Sequence, residues 1–262
     1  MAYYFLFPEK DSTIYSHPDR TQMNTGGDEI LEIVKEKGSS DQRYYPSRVL
    51  IKFKNEEIKD TINKIGSSTF NDGTSKVSLQ LLSSEHKNLV STLNLEAFAV
   101  SQSWDEGTGR FTNLPISSNG CSWIYRDNDI DKTQWTTSSF GTGGGTGSIN
   151  AVGITEGGGV WYTGSLFQGS QQFLRGDNLD TNIDVTTIVQ KHSASLFANS
   201  TYPTGIFNHG FLIKQPDSVE TNTSSSFGEM KYFSVDTHTI YPPKLCFKWD
   251  DSVHGLQSSA KQ

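Results

Sequence analysis

The chain has 262 residues, a formal net charge of −7 at neutral pH, and only 34 % hydrophobic and 19 % charged residues. This acidic balance, with no clustered basic stripe, argues against a nucleic-acid partner held by its phosphates. No stretch approaches the ~20 consecutive apolar residues of a membrane span, so no membrane partner is expected. The first ten residues lack the basic start and apolar run of a signal peptide. We therefore predict one domain over residues 1–262, made in the cytoplasm without export.

Alternating apolar residues predict strands in the first fifth of the chain. Residues 4–7 and 13–15 are expected to form an opening pair of strands, separated by a short polar turn that begins with Pro8. Within residues 47–53, the side chains of Val49, Ile51 and Phe53 fall on one face, which should point inward.

A helical pattern follows at residues 55–66. Ile58, Ile62 and Ile65 have the i, i+4, i+7 spacing of one helix face, with Asn55 as the expected cap and Gly66 as the stop. We therefore predict a short surface helix. Two further strands, over residues 76–82 and 93–100, are expected to be neighbours in the core.

Glycine dominates the middle of the chain. Runs over residues 141–147 and 157–159 would lose much conformational entropy on ordering, so residues 116–169 are predicted to be a long exposed insertion. In the last third, residues 184–191 resemble a strand end that enters a short helix. The closing strands are expected at residues 210–214, 230–235 and 244–249. The fold class that follows is all-β, an antiparallel sandwich with one or two short helices.

Aromatic residues are enriched in and beside the insertion, and they are the weak candidates for ligand binding: Trp123, Tyr125, Trp161 and Tyr162. In exposed loops, such rings stack on sugars or anchor a protein partner. Large aromatic residues also fill the edges of sandwiches, so packing or a subunit contact is the alternative interpretation.

Three carboxylates, Asp127, Asp129 and Asp131, have the alternating spacing of a calcium loop. The sixth position is Lys132 where such loops need Gly, and the twelfth is Ser138 where they need Glu. We therefore expect a solvated acidic turn and predict no metal or other cofactor.

No set of residues with catalytic spacing stands out. Asp105 and Glu106 are adjacent and would point to opposite faces of a strand, so a turn in which Glu106 accepts backbone hydrogen bonds is the better interpretation. Zinc, phosphate-loop and nucleophile-elbow motifs are not found in the sequence. We predict no catalytic residues and no enzymatic activity. Cys121 and Cys246 are expected to be free thiols in or near the core.

Four fragments in order carry a resemblance to a known family. They are Pro8-Glu9-Lys10-Asp11-Ser12-Thr13-Ile14, then Ser47-Arg48-Val49-Leu50-Ile51-Lys52-Phe53, then the signature that begins Trp104-Asp105-Glu106-Gly107-Thr108 and ends Asn113-Leu114-Pro115, then Asp184-Val185-Thr186-Thr187-Ile188-Val189 with the closing strands. The chain resembles DNRLRE domains, jelly-roll modules related to carbohydrate-binding β-sandwiches. It departs from them at Phe111, where the family often has Trp, and in the long insertion.

A jelly roll without a leader, rich in Gly, Ser, Thr and Asn, also resembles virion structural proteins of contractile-tailed phages of marine cyanobacteria. This resemblance implies a non-enzymatic tail, baseplate or neck component, located in the virion, whose partners are other virion proteins and copies of itself. The alternative is a carbohydrate-binding or adhesive module that binds glycans at a cell surface. Fold alone does not separate these functions.

Overall fold

A computed structural model describes residues 1–129, 132–135, 146–147, 157–197 and 205–251. The protein is an all-β antiparallel sandwich, as the sequence predicts. In the described residues the strands are β1 (Ala2–Leu6), β2 (Pro8–Tyr15), β3 (Ile30–Lys37), β4 (Tyr44–Phe53), β5 (Lys76–Leu81), β6 (Ser83–Lys87), β7 (Thr92–Ala99), β8 (Tyr125–Asp127), β9 (Thr133–Gln134), β10 (Thr146–Gly147), β11 (Trp161–Tyr162), β12 (Gln168–Leu174), β13 (Thr181–Asp184), β14 (Phe211–Lys214), β15 (Glu229–Phe233) and β16 (Lys244–Trp249). The α-helices there are α1 (Asn55–Ile65), α2 (Ser67–Asn71), α3 (Thr186–Leu196) and α4 (Asp217–Glu220), with a 3₁₀ turn at Pro18–Arg20.

The smaller of the two main sheets has the strand order β1-β16-β5-β13. Strand β1 pairs with β16 along its whole length, from Ala2 opposite Trp249 to Leu6 opposite Leu245. Among the described strands, β1 has a partner on one side only. It therefore forms a free edge of this sheet.

The larger sheet has the order β12-β7-β14-β4-β3-β15-β6, and β2 pairs with residues 47–53 of β4. The main core lies between the two sheets, where Val49, Ile51 and Phe53 point inward as predicted. The isoleucine face of α1 is buried in the same core, which confirms the predicted helix and its stop at Gly66. Asn55 is not the cap, because it is the first residue of α1 and Lys54 precedes the helix; the side-chain oxygen of Asn55 accepts a hydrogen bond from Asn208 at 2.9 Å.

Three sequence predictions about neighbours and counts are wrong. The opening strands β1 and β2 do not pair with each other, because they belong to different sheets. Strands β5 and β7, expected to be neighbours, also lie in different sheets. Alternation shows which face of a strand is buried but not which strand lies beside it. Four α-helices are present in the described residues where one or two were expected.

Loops form a third layer on the outer face of the larger sheet. They bury a second hydrophobic core that consists of Ile14, Leu50, Phe98, Val100, Trp104, Cys121, Trp123, Trp135, Val160, Trp161 and Leu212. The exposed insertion predicted for residues 116–169 is therefore wrong for much of its described part. Residues 130–131, 136–145 and 148–156 of that prediction, which hold most of the first glycine run, lie outside the described residues.

The second glycine run shows why the sequence misled. Gly157, Gly158 and Gly159 are buried and have φ values of 114°, 82° and 84°, which disfavour residues with side chains. A Cβ atom at Gly158 would lie 2.4 Å from Nη1 of Arg48 and 2.7 Å from Cζ2 of Trp123. These glycines therefore permit close packing in the second core rather than exposure.

Candidate functional site

The candidate tryptophans lie in the second core rather than in exposed loops. Trp123 is 1 % exposed and Trp161 is 2 % exposed. Their rings lie 4.6 Å and 5.1 Å from the guanidinium carbon of Arg48. Neither ring is available to stack on a sugar. Tyr125 on β8 and Tyr162 on β11 are partly buried, and the Tyr162 ring packs on Phe167 with centroids 5.3 Å apart.

Beneath these rings lies a buried ion cluster, formed by Arg48, Lys214 and Glu220. All three side chains are 0 % exposed. Arg48 donates from Nη2 and Nε to the two oxygens of Glu220 at 2.7 Å and 3.1 Å. Nζ of Lys214 lies 3.3 Å from the same carboxylate. Two cations thus share one buried counter-ion.

Neighbouring oxygens complete the solvation of both cations. Nη1 of Arg48 donates to the carbonyl of Gly158 at 2.5 Å. Nζ of Lys214 donates to the carbonyl of Gln215 and to Oδ1 of Asp217, each at 2.6 Å. A buried ion pair with such partners fixes geometry more than it favours stability. The cluster therefore holds β4, β14, α4 and the Gly158 loop in one arrangement.

The structure describes only part of the predicted acidic turn, up to Asp129. The backbone amide of Asp129 donates to Oδ1 of Asp127 at 3.0 Å, as in a local turn. Asp131 lies outside the described residues. Within the described ranges, no group of three His, Cys, Asp or Glu side chains is arranged to hold a metal ion.

Glu106 lies in the predicted turn and serves the backbone. Its Oε1 accepts a hydrogen bond from the amide of Asp11 at 2.8 Å. Burial, reinforced by the nearby charge of Asp236, raises the pKa of Glu106 to about 7 despite that hydrogen bond. Cys121 and Cys246 are free and buried, as predicted, and burial raises the pKa of the Cys121 thiol to about 12. Such a thiol is a poor nucleophile at neutral pH.

The surface that sequence reasoning missed lies on β1. We call Tyr3, Tyr4, Phe5 and Phe7 the aromatic edge. Their exposed fractions are 54 %, 41 %, 45 % and 48 % in that order. Leu6 is buried in the main core, so alternation places Tyr4 on the inner face and Tyr3 and Phe5 on the outer face. Sheet edges are usually protected by charges, prolines or bulges, and residues 2–6 have none of these.

Lysines from neighbouring elements lie over the rings of the aromatic edge. The Nζ atoms of Lys248, Lys64 and Lys244 lie 5.5 Å, 5.2 Å and 5.9 Å from the ring centroids of Tyr3, Tyr4 and Phe5. These distances are within the range of cation–π contacts. The rings are therefore oriented by the fold, although about half of each is open to solvent.

A shallow cavity of about 460 Å³ opens beside Phe5 on the same sheet. Its lining includes Gln80, Asp180, Asn182 and Lys244. The amide of Gln80 donates to the amide oxygen of Asn182 at 3.1 Å, which aligns the two side chains. The cavity thus combines one aromatic ring with amide, carboxylate and ammonium groups.

One signal in the sequence could have located this surface. Residues 3–7 are apolar or aromatic at every position, whereas a half-buried strand should alternate with polar residues. A strand with two apolar faces in an antiparallel sheet needs a cover on both. In the described part of the chain, Leu6 on one face is buried in the main core, whereas Tyr3 and Phe5 on the other face are about half exposed.

Comparisons with known proteins leave the family open. In the described ranges, no helix is both long enough and apolar enough to cross a membrane. No protein-family model matches the chain, and a search of the curated proteins finds no match. The likeness to DNRLRE domains and to phage virion proteins stays a prediction from the sequence.

Proposed function

We propose that the protein is a non-enzymatic structural component of a phage virion, in the tail, baseplate or neck. In this proposal a jelly-roll sandwich is a rigid scaffold, and the aromatic edge is its contact with other virion proteins. The observation that carries the proposal is an uncharged edge strand with three large exposed aromatic side chains, followed directly by a fourth at Phe7.

The energetics of that edge favour a bound state. An aromatic side chain buries about 200 Å² when fully covered, so four half-exposed rings leave about 400 Å² open. At about 25 cal/mol per Å², covering them contributes about 10 kcal/mol before the costs of association. The largest apolar patch on a typical monomer is about 300–600 Å², and patches of this size are often functional.

The rest of the molecule supports a scaffold. The buried ion cluster uses its charges to hold strands and loops together, and its oxygens and nitrogens are already paired. The Cys121 thiol and the Glu106 carboxyl are engaged in packing or backbone hydrogen bonds. The resemblance of the sequence to virion structural proteins of contractile-tailed phages supplies the virion context.

Particles from a host that produces this chain provide the test. Quantitative mass spectrometry should find the chain at a stoichiometric copy number in purified virions. Phe5→Lys, which places a charge on the edge, should reduce its incorporation at least tenfold. Leu174→Lys is the matched control, because Leu174 is 54 % exposed on the edge strand of the other sheet. Absence of the wild-type chain from particles would overturn the proposal.

A carbohydrate-binding or adhesive module at a cell surface is the second candidate function. The cavity beside Phe5 favours it, because saccharide sites combine an aromatic ring with amide and carboxylate side chains. In this alternative the Phe5 ring stacks on a sugar while Asn182 and Gln80 bond its hydroxyls. Trp123 and Trp161 take no direct part, because both are buried.

A glycan array followed by titration calorimetry tests this alternative. If a saccharide binds, Phe5→Ala and Asn182→Ala should each weaken its binding at least tenfold. Leu174→Ala, on the other sheet, should leave the affinity unchanged. No saccharide bound on the array, or equal binding by all three variants, would rule out this site.

A further inference from the structure

We propose that the partner of the aromatic edge is a second copy of this chain. The β1 strands of two copies pair antiparallel about a two-fold axis at Tyr4, and the two four-stranded sheets become one sheet of eight strands. This inference rests on the proposed function, in which β1 is a docking surface.

The residues of β1 are self-complementary in this register. Tyr4 lies opposite Tyr4 of the second copy, Tyr3 opposite Phe5, and Ala2 opposite Leu6. On the outer face, Tyr3 of each copy then lies beside Phe5 of the other copy. Such cross-strand aromatic pairs stabilise antiparallel sheets. The backbone groups of β1 that face away from β16 also gain hydrogen-bond partners.

The residues that pair have no charged side chains. Residues 2–6 have no ionisable side chain except the tyrosine hydroxyls. Lys248 lies opposite Tyr3 within its own sheet, and Cys246 lies opposite Phe5. Across the paired sheets, Lys248 and Tyr3 of one copy therefore line up with Phe5 and Cys246 of the other copy. The Lys248 side chains of the two copies do not lie opposite each other.

The inner face of β1 has space for the second copy. A groove of about 340 Å³ lies between β1 and α1, lined by Tyr4, Leu6, Thr61, Lys64 and neighbouring residues. The Tyr4 ring of the second copy can enter this groove beside the first Tyr4 ring. Two acidic side chains of α1, Glu57 and Asp60, and one basic side chain, Lys64, line it.

The exposed area of the aromatic edge determines how tightly the two copies are expected to bind. About 400 Å² per copy is half of the ~800 Å² per partner that specific interfaces usually bury. We therefore expect a dimer with a dissociation constant in the micromolar range. A partner recognised by its charge would need charged side chains on this strand, and residues 2–6 have none.

Disulfide cross-linking tests the register. Antiparallel pairing places the two Tyr4 Cα atoms about 5 Å apart, within the range that a disulfide spans. The two Tyr3 Cα atoms would be about 8 Å apart, beyond that range. Under copper–phenanthroline and air, which accept the thiol hydrogens, Tyr4→Cys should form a covalent dimer and Tyr3→Cys should not. Wild type, whose two thiols are buried, is the background control.

Sedimentation equilibrium provides the second measurement. Wild type and Leu174→Lys should dimerise over the micromolar range, and Phe5→Lys should stay monomeric with an unchanged circular dichroism spectrum. Raising the salt concentration should not weaken the wild-type dimer, because residues 2–6 have no charged side chains and the lysines over the aromatic edge of the two copies have the same sign and do not attract each other.

The results separate this inference from the proposed function. A monomeric wild type at all concentrations, or cross-linking of both cysteine variants or of neither, would overturn pairing between copies in this register. The particle experiment reports on the proposed function independently, because β1 could then still dock on a different virion protein.

Discussion

Replacing Glu220 by Gln should lower the free energy of unfolding by about 3–5 kcal/mol, the usual cost of leaving a buried charge unpaired. Arg48 and Lys214 are 0 % exposed and share this carboxylate as their buried counter-ion. The amide has nearly the volume of the carboxylate, so the loss comes from charge rather than from a cavity. Chemical denaturation at neutral pH measures it.

Asp217→Asn is the matched control for this prediction. Asp217 also bonds Lys214, but its side chain is 58 % exposed, so its loss should cost below about 1 kcal/mol. In a double-mutant cycle, Arg48→Met should reduce the effect of Glu220→Gln, because the unpaired guanidinium is removed. Equal losses in the free energy of unfolding for Glu220→Gln and Asp217→Asn would contradict the prediction, because the cost would then not depend on burial of the carboxylate.

Trp123→Ala should lower the free energy of unfolding by about 3–5 kcal/mol, as truncations of buried aromatic residues do. The Trp123 ring lies in the second core and over Arg48, and its carbonyl accepts the amide of Gly158 at 2.6 Å. The substitution therefore leaves a cavity and loosens the glycine run. Denaturation gives the loss, and faster hydrogen exchange at the Gly158 amide should accompany it.

Tyr241→Ala provides the comparison, because Tyr241 is 45 % exposed and should cost below about 1 kcal/mol. If Trp123→Ala lowers the free energy of unfolding as little as Tyr241→Ala, the loops on the outer face of the larger sheet do not unfold together with the main core. A large loss of stability would also show that a Trp123 variant is unsuitable for testing saccharide binding, because the substitution damages the fold.

The buried faces of β4 and α1 were predictable from local patterns. The alternation of Val49, Ile51 and Phe53 and the isoleucine face of α1 each depend on spacing within one element. Burial of one face determines that spacing wherever the element lies in the fold. The helix α3 after β13 was also predicted, from a helix-start signal near residue 184.

The candidate site was not predictable, because it depends on contacts between distant residues. Gly157, Gly158 and Gly159 suggest an exposed loop when read alone, and only the closeness of Arg48 and Trp123 shows why glycine is required. Arg48 and Glu220 are likewise separated by 172 positions. The aromatic edge was predicted as a strand, but its location at a sheet edge depends on β16 near the other end of the described chain.

The pairing of β1 with β16 also affects how the protein is made. Ala2 pairs with Trp249, so the first strand leaves the ribosome long before its partner exists. At about 5–20 residues per second, the wait is about 10–50 s. During that time an uncharged aromatic segment is exposed on the nascent chain, where it can aggregate with others. Nascent-chain chaperones are therefore expected to bind this segment first and to release it only when translation of β16 is complete.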